Sequence, residues 1–323
     1  MQSFLTSLQT AAPVQDRAHN SLNGGDAESY AMAKMILACR GEGQWGSRAE
    51  DGCKIDLIFS SQHPWHKGER ILILAQVKSG ESYGRLIPDG FVLSGRAKAE
   101  AKRTSHGICV IWVDRDTSKL FWAYVHPKTK ATQQCYGALH EVSPATIYDL
   151  ARCMAAQTAT KSGAKGLVVR KRTGNITERR KRVKQAYRAG SGAQSPVIGR
   201  VEFTKYGWRH IFRRGRLKAN KSASMDLIPY LKKLLQRFPT KHAINASELR
   251  TKGQYQYRTC EHLLKYDGVS IFDKQIGASR KAVAHVRLVE EIKFPELWDA
   301  TVMLSQSVMR RVVLKSAYYK IEG

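Results

Sequence analysis

Residues 71–80 read ILILAQVKSG, an apolar run that ends in a glutamine, a valine and a lysine before a serine and a glycine. A short apolar run bounded by turn residues predicts a buried β-strand. Because side chains alternate between the two faces of a strand, Gln76 and Lys78 share a face with the two leucines of the run. We therefore expect a central strand of a covered sheet whose polar end opens into a functional site.

A second strand is predicted just before this one, at residues 54–60 (KIDLIFS). Alternation places Asp56 on the face of that strand that its apolar neighbours do not occupy. Two strands so close in sequence predict a hairpin, in which Asp56, Gln76 and Lys78 converge at one end. A cross-strand salt bridge between Asp56 and Lys78 is the alternative that involves no catalysis.

The segments around this hairpin predict a mixed α/β domain over residues 1–157. A helix at 27–40, capped by Asp26, precedes the hairpin and carries Glu28 in its first turn. The remaining elements predicted for this domain are a short strand at 90–94, a helix at 96–104, a hairpin of strands at 108–114 and 120–125, and a closing helix at 144–157.

The charge of the chain is its strongest global signal. It holds 54 Lys and Arg against 27 Asp and Glu, a formal net charge of +27. Residues 1–160 hold 18 basic and 15 acidic side chains, a net of +3, so the other 36 basic and 12 acidic residues give the rest of the chain +24. An excess of this size predicts a polyanionic partner, and we expect nucleic acid to bind mainly through the C-terminal half.

Two further parts are predicted in that half, a basic linker or arm at 158–196 and a basic α+β nucleic-acid-binding domain at 197–323. In the latter, an amphipathic helix at 224–238, capped by Ser222 or Ser224, is followed by a polar loop and by strands at 284–292, 300–307 and 310–321. Basic and aromatic residues interleave at 207–216, as they do where proteins hold phosphates and stack bases. The residues predicted to bind nucleic acid are Arg179, Arg180, Lys181, Arg182, Lys184, Trp208, Arg209, Arg213, Arg214 and Arg216.

The cysteines and the apolar segments limit the class of protein. Six scattered cysteines without a CxxC pair argue against a zinc ribbon and a disulfide scaffold. No signal-peptide pattern is present, and no apolar run approaches the roughly 18 residues of a membrane span. We therefore expect a cytoplasmic protein with no membrane partner, and a homodimer stays open.

The residues at the end of the predicted hairpin suit the hydrolysis of a phosphodiester. Magnesium prefers oxygen ligands, and the Asp56 carboxylate and the Gln76 amide carbonyl can supply two of them. A lysine beside the metal, Lys78, can hold the attacking water and stabilise the charge that develops on the phosphate.

Glu28 on an early helix, Asp56 on one strand and Gln76-Val77-Lys78 on the next resemble the PD-(D/E)xK nuclease superfamily, with glutamine in place of the usual second acid. The segments AESYAMAKMIL, DGCKIDLIF, QVKSGESY and GICVIWVDRDTSKLFWAYV are similar to an uncharacterised bacterial nuclease-like family with a D-x-G-x-D and then a Q-V-K-S motif. The resemblance covers about residues 20–160. Its first motif is stretched here to Asp51, Gly52 and Asp56.

The resemblance implies a restriction-endonuclease-like mixed sheet flanked by helices and a metal-dependent endonuclease that hydrolyses nucleic acid, with DNA favoured over RNA. It assigns catalysis to Glu28, Asp56, Gln76 and Lys78, and a Mg²⁺ or Mn²⁺ ion to the first three. It also implies a role in bacterial defence or in a mobile element.

Two alternatives remain open from the sequence. His210, followed by a helix and by late strands ending in KSAYY, is similar in order to the barnase, EndoU and RelE-like ribonucleases, which need no metal. Such an enzyme would cut RNA through the C-terminal domain. The other alternative is a non-catalytic nucleic-acid-binding protein, in which the glutamine marks a nuclease core that has lost its activity.

Overall fold

A computed structural model describes residues 17–52, 54–128, 134–158, 163–171 and 174–322. The described chain forms two compact units. The first contains residues 17–37, 41–61 and 72–142, and the second contains residues 38–40, 62–71 and 143–322. Asp51 lies in a short helix of the first unit, and Cys53 lies outside the described residues.

The first unit is a five-stranded mixed sheet with helices, as expected for an α/β fold. The strands of this sheet have the order β1-β2-β3-β6-β7, in which β3 and β6 are parallel and β6 and β7 antiparallel. Strands β4, β5 and β8 form a second, smaller sheet. The elements are α1 (Arg17–Cys39), β1 (Glu42–Trp45), α2 (Arg48–Gly52), β2 (Leu57–Gln62), β3 (Arg70–Ser79), β4 (Gly84–Ile87), β5 (Gly90–Leu93), α3 (Gly95–Ala101), β6 (Ile108–Val113), β7 (Leu120–Val125) and β8 (Cys135–Gly137).

An aromatic cluster covers the face of β3 that bears Leu74. Phe91 stacks on Trp112 with ring centroids 5.9 Å apart, and Phe121 packs against both rings. Helix α3 closes this cluster, because its alanines Ala97 and Ala101 are buried in it. Its first turn is fixed by Ser94, whose Oγ accepts a hydrogen bond from the Ala97 N–H at 3.2 Å.

The second unit is built on a long antiparallel sheet of order β12-β13-β14-β15, with β9 parallel to β13. Helices α5 to α8 contribute apolar side chains to the core on this sheet. Among the described residues, no helix is long and apolar enough to cross a membrane. The elements are α4 (Thr146–Thr158), β9 (Val168–Arg170), α5 (Ile176–Ala189), β10 (Ala193–Ser195), β11 (Gly199–Val201), α6 (Lys205–Ile211), α7 (Lys218–Leu227), α8 (Leu231–Leu235), β12 (Lys241–Lys252), β13 (Tyr255–Asp273), β14 (Ala278–Pro295), α9 (Leu304–Ser307) and β15 (Met309–Ile321).

The N-terminal helix begins earlier than the sequence predicts. Asp26 and Glu28 lie inside α1, so the predicted cap at Asp26 and the first-turn position of Glu28 are wrong. The two glycines before Asp26 suggested a break, but a glycine inside a helix costs only about 1 kcal/mol. Burial of Ala31 and Met35 in the same helix offsets that cost.

The predicted basic linker at 158–196 is folded over its described residues. These residues form β9, α5 and β10, and they place Val169, Val183 and Tyr187 in the core of the second unit. The linker prediction is therefore wrong there. Val183 and Tyr187 are four residues apart and lie on one face of a helix whose other faces are cationic. Two apolar positions were too few to indicate an amphipathic helix from the sequence.

The predicted helix at 224–238 and the predicted strand at 300–307 also differ from the structure. The helical segment begins earlier, at Lys218, and a 3₁₀ turn containing Pro229 separates α7 from α8. Ser224 is not a cap, because it is buried within α7 and its hydroxyl donates to the carbonyl of Asn220. Residues 300–307 contain the end of a 3₁₀ turn and the short helix α9.

Candidate active site and nucleic-acid face

Asp56 lies immediately before β2 and is hydrogen-bonded to β3. Its backbone N–H donates to the Ala75 carbonyl at 3.0 Å, and its own carbonyl accepts from the Gly46 N–H at 2.8 Å. Its carboxylate Oδ2 accepts a hydrogen bond from the Val77 N–H at 2.7 Å. The side chain of Asp56 therefore lies beside the centre of the Gln76-Val77-Lys78 segment.

Gln76 is the most unusual residue of this segment. It is fully buried, with 0% of its surface exposed, and neither its amide oxygen nor its amide nitrogen has a hydrogen-bond partner among the described residues. An unsatisfied buried polar group costs about 1–3 kcal/mol. Such a group in a folded protein requires an explanation, for example a functional role or a bound water or ion.

Lys78 lies on the same strand face as Gln76 and contacts helix α3. Its Nζ is 3.4 Å from the Glu100 Oε2 and 5.2 Å from the centre of the Tyr83 ring, and 14% of its side chain is exposed. Arg96 also pairs with Glu100, at 3.3 Å. Burial raises the pKa of Glu100, but Lys78 and Arg96 outweigh burial, so its pKa lies below the usual range.

The structure thus adds Glu100 to the residues at this end of β3. The sequence predicted a helix at 96–104, and Glu100 lies beside the buried positions Ala97 and Ala101 that attach this helix to the aromatic cluster. The spacing of the two alanines could have indicated which face of the helix is buried. It does not indicate which strand the Glu100 side chain contacts. Glu28 is half-buried in the interior of α1, and its assignment as a metal ligand stays a prediction.

The predicted nucleic-acid-binding residues fall into groups with different surroundings. Arg179 pairs with Asp226 at 3.0 Å and is only 15% exposed, so it stabilises the second unit rather than presenting a free cation. Arg182 pairs with Glu178 on the surface of α5. Arg216 donates to the Ile211 carbonyl at 3.0 Å and lies over the Tyr318 ring. The predicted cations that are exposed and have no described ion-pair partner are Arg180, Lys181, Lys184, Arg209, Arg213 and Arg214.

His210, the alternative catalytic residue, is half-buried in α6. Its Nδ1 is buried and forms no hydrogen bond with a described residue, and its ring lies 6.1 Å from that of Tyr206. Burial lowers its pKa, and Arg213 and Lys315 lower it further. A neutral histidine among cations is compatible with a general base, but it is equally compatible with a structural role.

A buried ionic network lies elsewhere in the second unit. Asp149 pairs with Arg152 and Arg258, and Glu290 pairs with Arg152 at 3.0 Å and with His262 at 3.2 Å. Burial raises the pKa of Asp149 and of Glu290, but their cationic neighbours hold both values below the usual range. Each carboxylate is thus ionised; Asp149 is shared between two arginines, and Glu290, which also pairs with Arg310 at 2.6 Å, is shared among three partners.

Part of this network is a candidate metal cluster. Cys260, His262 and Glu290 have ligand atoms within 4.8 Å of one another, and this is the only such group among the described residues. Sulfur and nitrogen ligands suit zinc or another soft metal, and magnesium prefers oxygen. The cluster therefore gives no support to the predicted Mg²⁺ ion.

Comparisons with known proteins find no relative. No protein-family model, curated protein or solved structure matches the chain. The resemblance to PD-(D/E)xK nucleases therefore depends on the sequence motifs and stays a prediction. A mixed α/β architecture is what the structure supports.

Proposed function

We propose that the first unit hydrolyses phosphodiester bonds in nucleic acid, DNA in preference to RNA, with a bound Mg²⁺ or Mn²⁺. The observation that carries the proposal is the fully buried amide of Gln76, which has no hydrogen-bond partner in the part of the chain that the structure describes. Gln76 directly precedes Val77, whose N–H holds Asp56, and it lies two residues before Lys78, which pairs with Glu100. Ordinary core packing gives no reason for these four polar side chains to meet at one strand end.

The donor types at this strand end fit a hard divalent cation. Asp56 offers a carboxylate, and Gln76 offers an amide oxygen that accepts no hydrogen bond from any described residue. Asp56 also accepts the Val77 N–H at 2.7 Å, which fixes the carboxylate against β3. When bound, such an ion lowers the pKa of a coordinated water and offsets the charge of the phosphate.

Lys78 is the residue that would contact the reacting phosphate. Its ammonium can donate to a phosphate oxygen and stabilise the negative charge that develops there. Glu100 is ionised and lies 3.4 Å from this ammonium, so it orients Lys78 without touching the substrate. Tyr83 contributes a cation–π contact at 5.2 Å that restricts the lysine further.

The charge of the chain supports a nucleic-acid substrate. The net charge of +27 lies almost wholly in the C-terminal half, and the second unit exposes cations that have no described ion-pair partner. Phosphate contacts of this kind bind without regard to sequence and weaken steeply with salt. We infer that the second unit holds the nucleic acid that the first unit cuts.

The decisive experiment compares Lys78→Met with a matched variant, Lys119→Met. Lys119 also belongs to the first unit and also pairs with a glutamate, Glu141 at 3.3 Å, but on the surface. Cleavage of labelled DNA and RNA is measured in Mg²⁺, in Mn²⁺ and in EDTA. We expect Lys78→Met to lose about 100-fold or more of the metal-dependent rate, as the loss of one charge-stabilising group does elsewhere, and Lys119→Met to cut normally.

Two results would contradict the proposal. One is cleavage by Lys78→Met at the wild-type rate, and the other is the absence of cleavage by the wild type in every metal. Cleavage of RNA that survives EDTA and is lost in His210→Ala would assign the activity to the second unit instead.

A further inference from the structure

A pocket of about 340 Å³ opens between α5 and α6 in the second unit. Its walls combine aromatic rings with cations, and no carboxylate is among the described residues that line it. The aromatic residues that line it are Tyr187, Phe203 and Trp208, and the cations are Lys184, Arg188, Lys205 and Arg209. Pockets of this size are typical of small-ligand sites, and the lining fits an aromatic, negatively charged ligand.

The aromatic walls are held in place before any ligand binds. The Tyr187 ring lies 5.3 Å from Trp208 and 5.1 Å from Phe203. The Tyr187 hydroxyl donates to the Thr204 carbonyl at 3.0 Å, which links α5 to the start of α6. Tyr187 and Phe203 are buried, whereas Trp208 is only partly buried. A rigid aromatic surface loses little conformational freedom when a planar group stacks on it.

The cations of the pocket are available to a ligand. None of the four forms an ion pair with any residue in the described part of the chain, in contrast to Arg179 and Arg182 on the same helix. Lys184 and Arg188 are four residues apart in α5, so they lie on one face of the helix. Lys205 and Arg209 have the same spacing in α6.

The cationic surface continues from the pocket along α5. A second, more open pocket next to the first is lined by Thr177, Arg180 and Lys181. The two pockets share Lys184 and Trp208. Arg180 and Lys181 precede Lys184 by four and three residues, so the cations form one stripe on the helix. The stripe has the length and charge to follow a phosphate backbone past the pocket.

We propose that this pocket takes one unstacked base of a single-stranded nucleic acid, while the stripe on α5 binds the neighbouring phosphates. A base inside a duplex is covered on both faces by its neighbours and cannot enter a pocket unless it leaves the stack. Aromatic rings beside cations are the usual means of holding single strands without reading their sequence. The identity of the ligand as nucleic acid rests on the proposed function.

The test measures binding and not cleavage, so its failure is distinct from that of the proposed nuclease. Fluorescence anisotropy follows a labelled 12-nucleotide single strand and the matching duplex in EDTA, over a range of salt concentrations. We expect Trp208→Leu to weaken single-strand binding about tenfold or more and to leave duplex binding unchanged. Lys119→Met, the surface control in the first unit, should bind like the wild type.

A second pair of variants covers the case in which Trp208→Leu fails to fold. The double variant Lys184→Ala/Lys205→Ala should lower the slope of log K against log salt by about 1.4 for the single strand, at about 0.7 per phosphate contact. Its control, Lys232→Ala/Lys233→Ala, removes two exposed cations from α8 and should change the slope less.

Three results would overturn the inference. They are unchanged single-strand binding by a folded Trp208→Leu, an equal loss for single strand and duplex, and equal slopes for the two lysine pairs.

Discussion

Replacement of Gln76 by methionine tests whether a functional requirement keeps this glutamine in the core. Methionine has nearly the same length and volume but no polar atoms, so the change removes the two unsatisfied groups and leaves the packing almost intact. If Gln76 were an ordinary core residue, no reason would exist to bury its amide. If it binds a ligand, the variant should gain stability and lose activity together.

The expected gain follows from the burial of the amide. An unsatisfied buried polar group costs about 1–3 kcal/mol, and repacking around methionine costs less than about 1.5 kcal/mol. Taken at the middle of each range, the net effect on the free energy of unfolding is a gain of about 1 kcal/mol. At roughly 4 °C per kcal/mol for a unit of this size, Tm should rise by about 4 °C in EDTA.

Thermal unfolding with and without Mg²⁺ is the assay, together with cleavage of DNA. We expect Mg²⁺ to raise the Tm of the wild type and to have little effect on Gln76→Met, because a ligand stabilises only the form that binds it. Tyr266→Phe is a matched control, because the Tyr266 hydroxyl in the second unit is also buried and has no hydrogen-bond partner within the described ranges. It should gain stability and keep both the Mg²⁺ response and the activity.

The reasoning is refuted if Gln76→Met keeps the wild-type response to Mg²⁺ and the wild-type cleavage rate. It is also refuted if the variant is less stable than the wild type in EDTA while Tyr266→Phe is more stable, because the amide then has a structural partner.

Three further predictions concern ionisable side chains. Glu100→Gln should lower kcat about tenfold and leave KM and DNA affinity near the wild-type values, because it frees Lys78 without removing it; steady-state kinetics check this. Burial and a neighbouring histidine lower the pKa of His242 to about 3, whereas its pKa in the unfolded chain is about 6.5. Between about pH 3 and 6.5 the unfolded chain therefore binds a proton at His242 that the folded chain does not bind. Stability should therefore fall as pH drops below about 6.5, by at most about 1.4 kcal/mol per pH unit from this group, and urea titrations of His242→Gln should show a flatter profile. Asp149→Asn leaves the buried Arg258 without its carboxylate and Arg152 with Glu290 alone, and it should cost about 3–5 kcal/mol, which the urea midpoint measures.

The sequence predicted the strands whose hydrophobic pattern agrees with their burial. The run ILILAQVKSG forms β3 and its turn, and the runs at 108–114 and 120–125 form the antiparallel pair β6 and β7. Almost every side chain of β6 and β7 is buried, as expected for strands covered on both faces. The local sequence pattern was sufficient to predict these strands, because the side chains that they bury are mostly apolar.

Strand β13 shows why the rest was not predictable. Its side chains alternate between buried and half-exposed positions over much of its length, but the buried positions include Arg258, Cys260 and His262. Ion pairs with distant residues such as Asp149 make this burial possible, and a local pattern does not contain them. The sequence therefore predicted a polar loop where the longest strand of the described chain lies.

The site was predictable only in part, for a similar reason. The alternation of β3 indicated that Gln76 and Lys78 share a face, but Glu100 reaches Lys78 through tertiary packing of α3. The spacing of Ala97, Glu100 and Ala101 became informative only once the aromatic cluster beneath α3 was known. A contact between two elements that are distant in sequence can be predicted only when the packing of those elements is known.

The most direct test of the nuclease proposal is cleavage of DNA by Asp56→Asn. Asparagine still offers an oxygen to the Val77 N–H, which Asp56 binds at 2.7 Å, so the fold is kept while the charge is lost. We predict that the wild type cuts in Mg²⁺ and not in EDTA, and that Asp56→Asn binds DNA normally but cuts at least about 100-fold more slowly. Equal rates for the two proteins, or wild-type cleavage that persists in EDTA, would contradict the account.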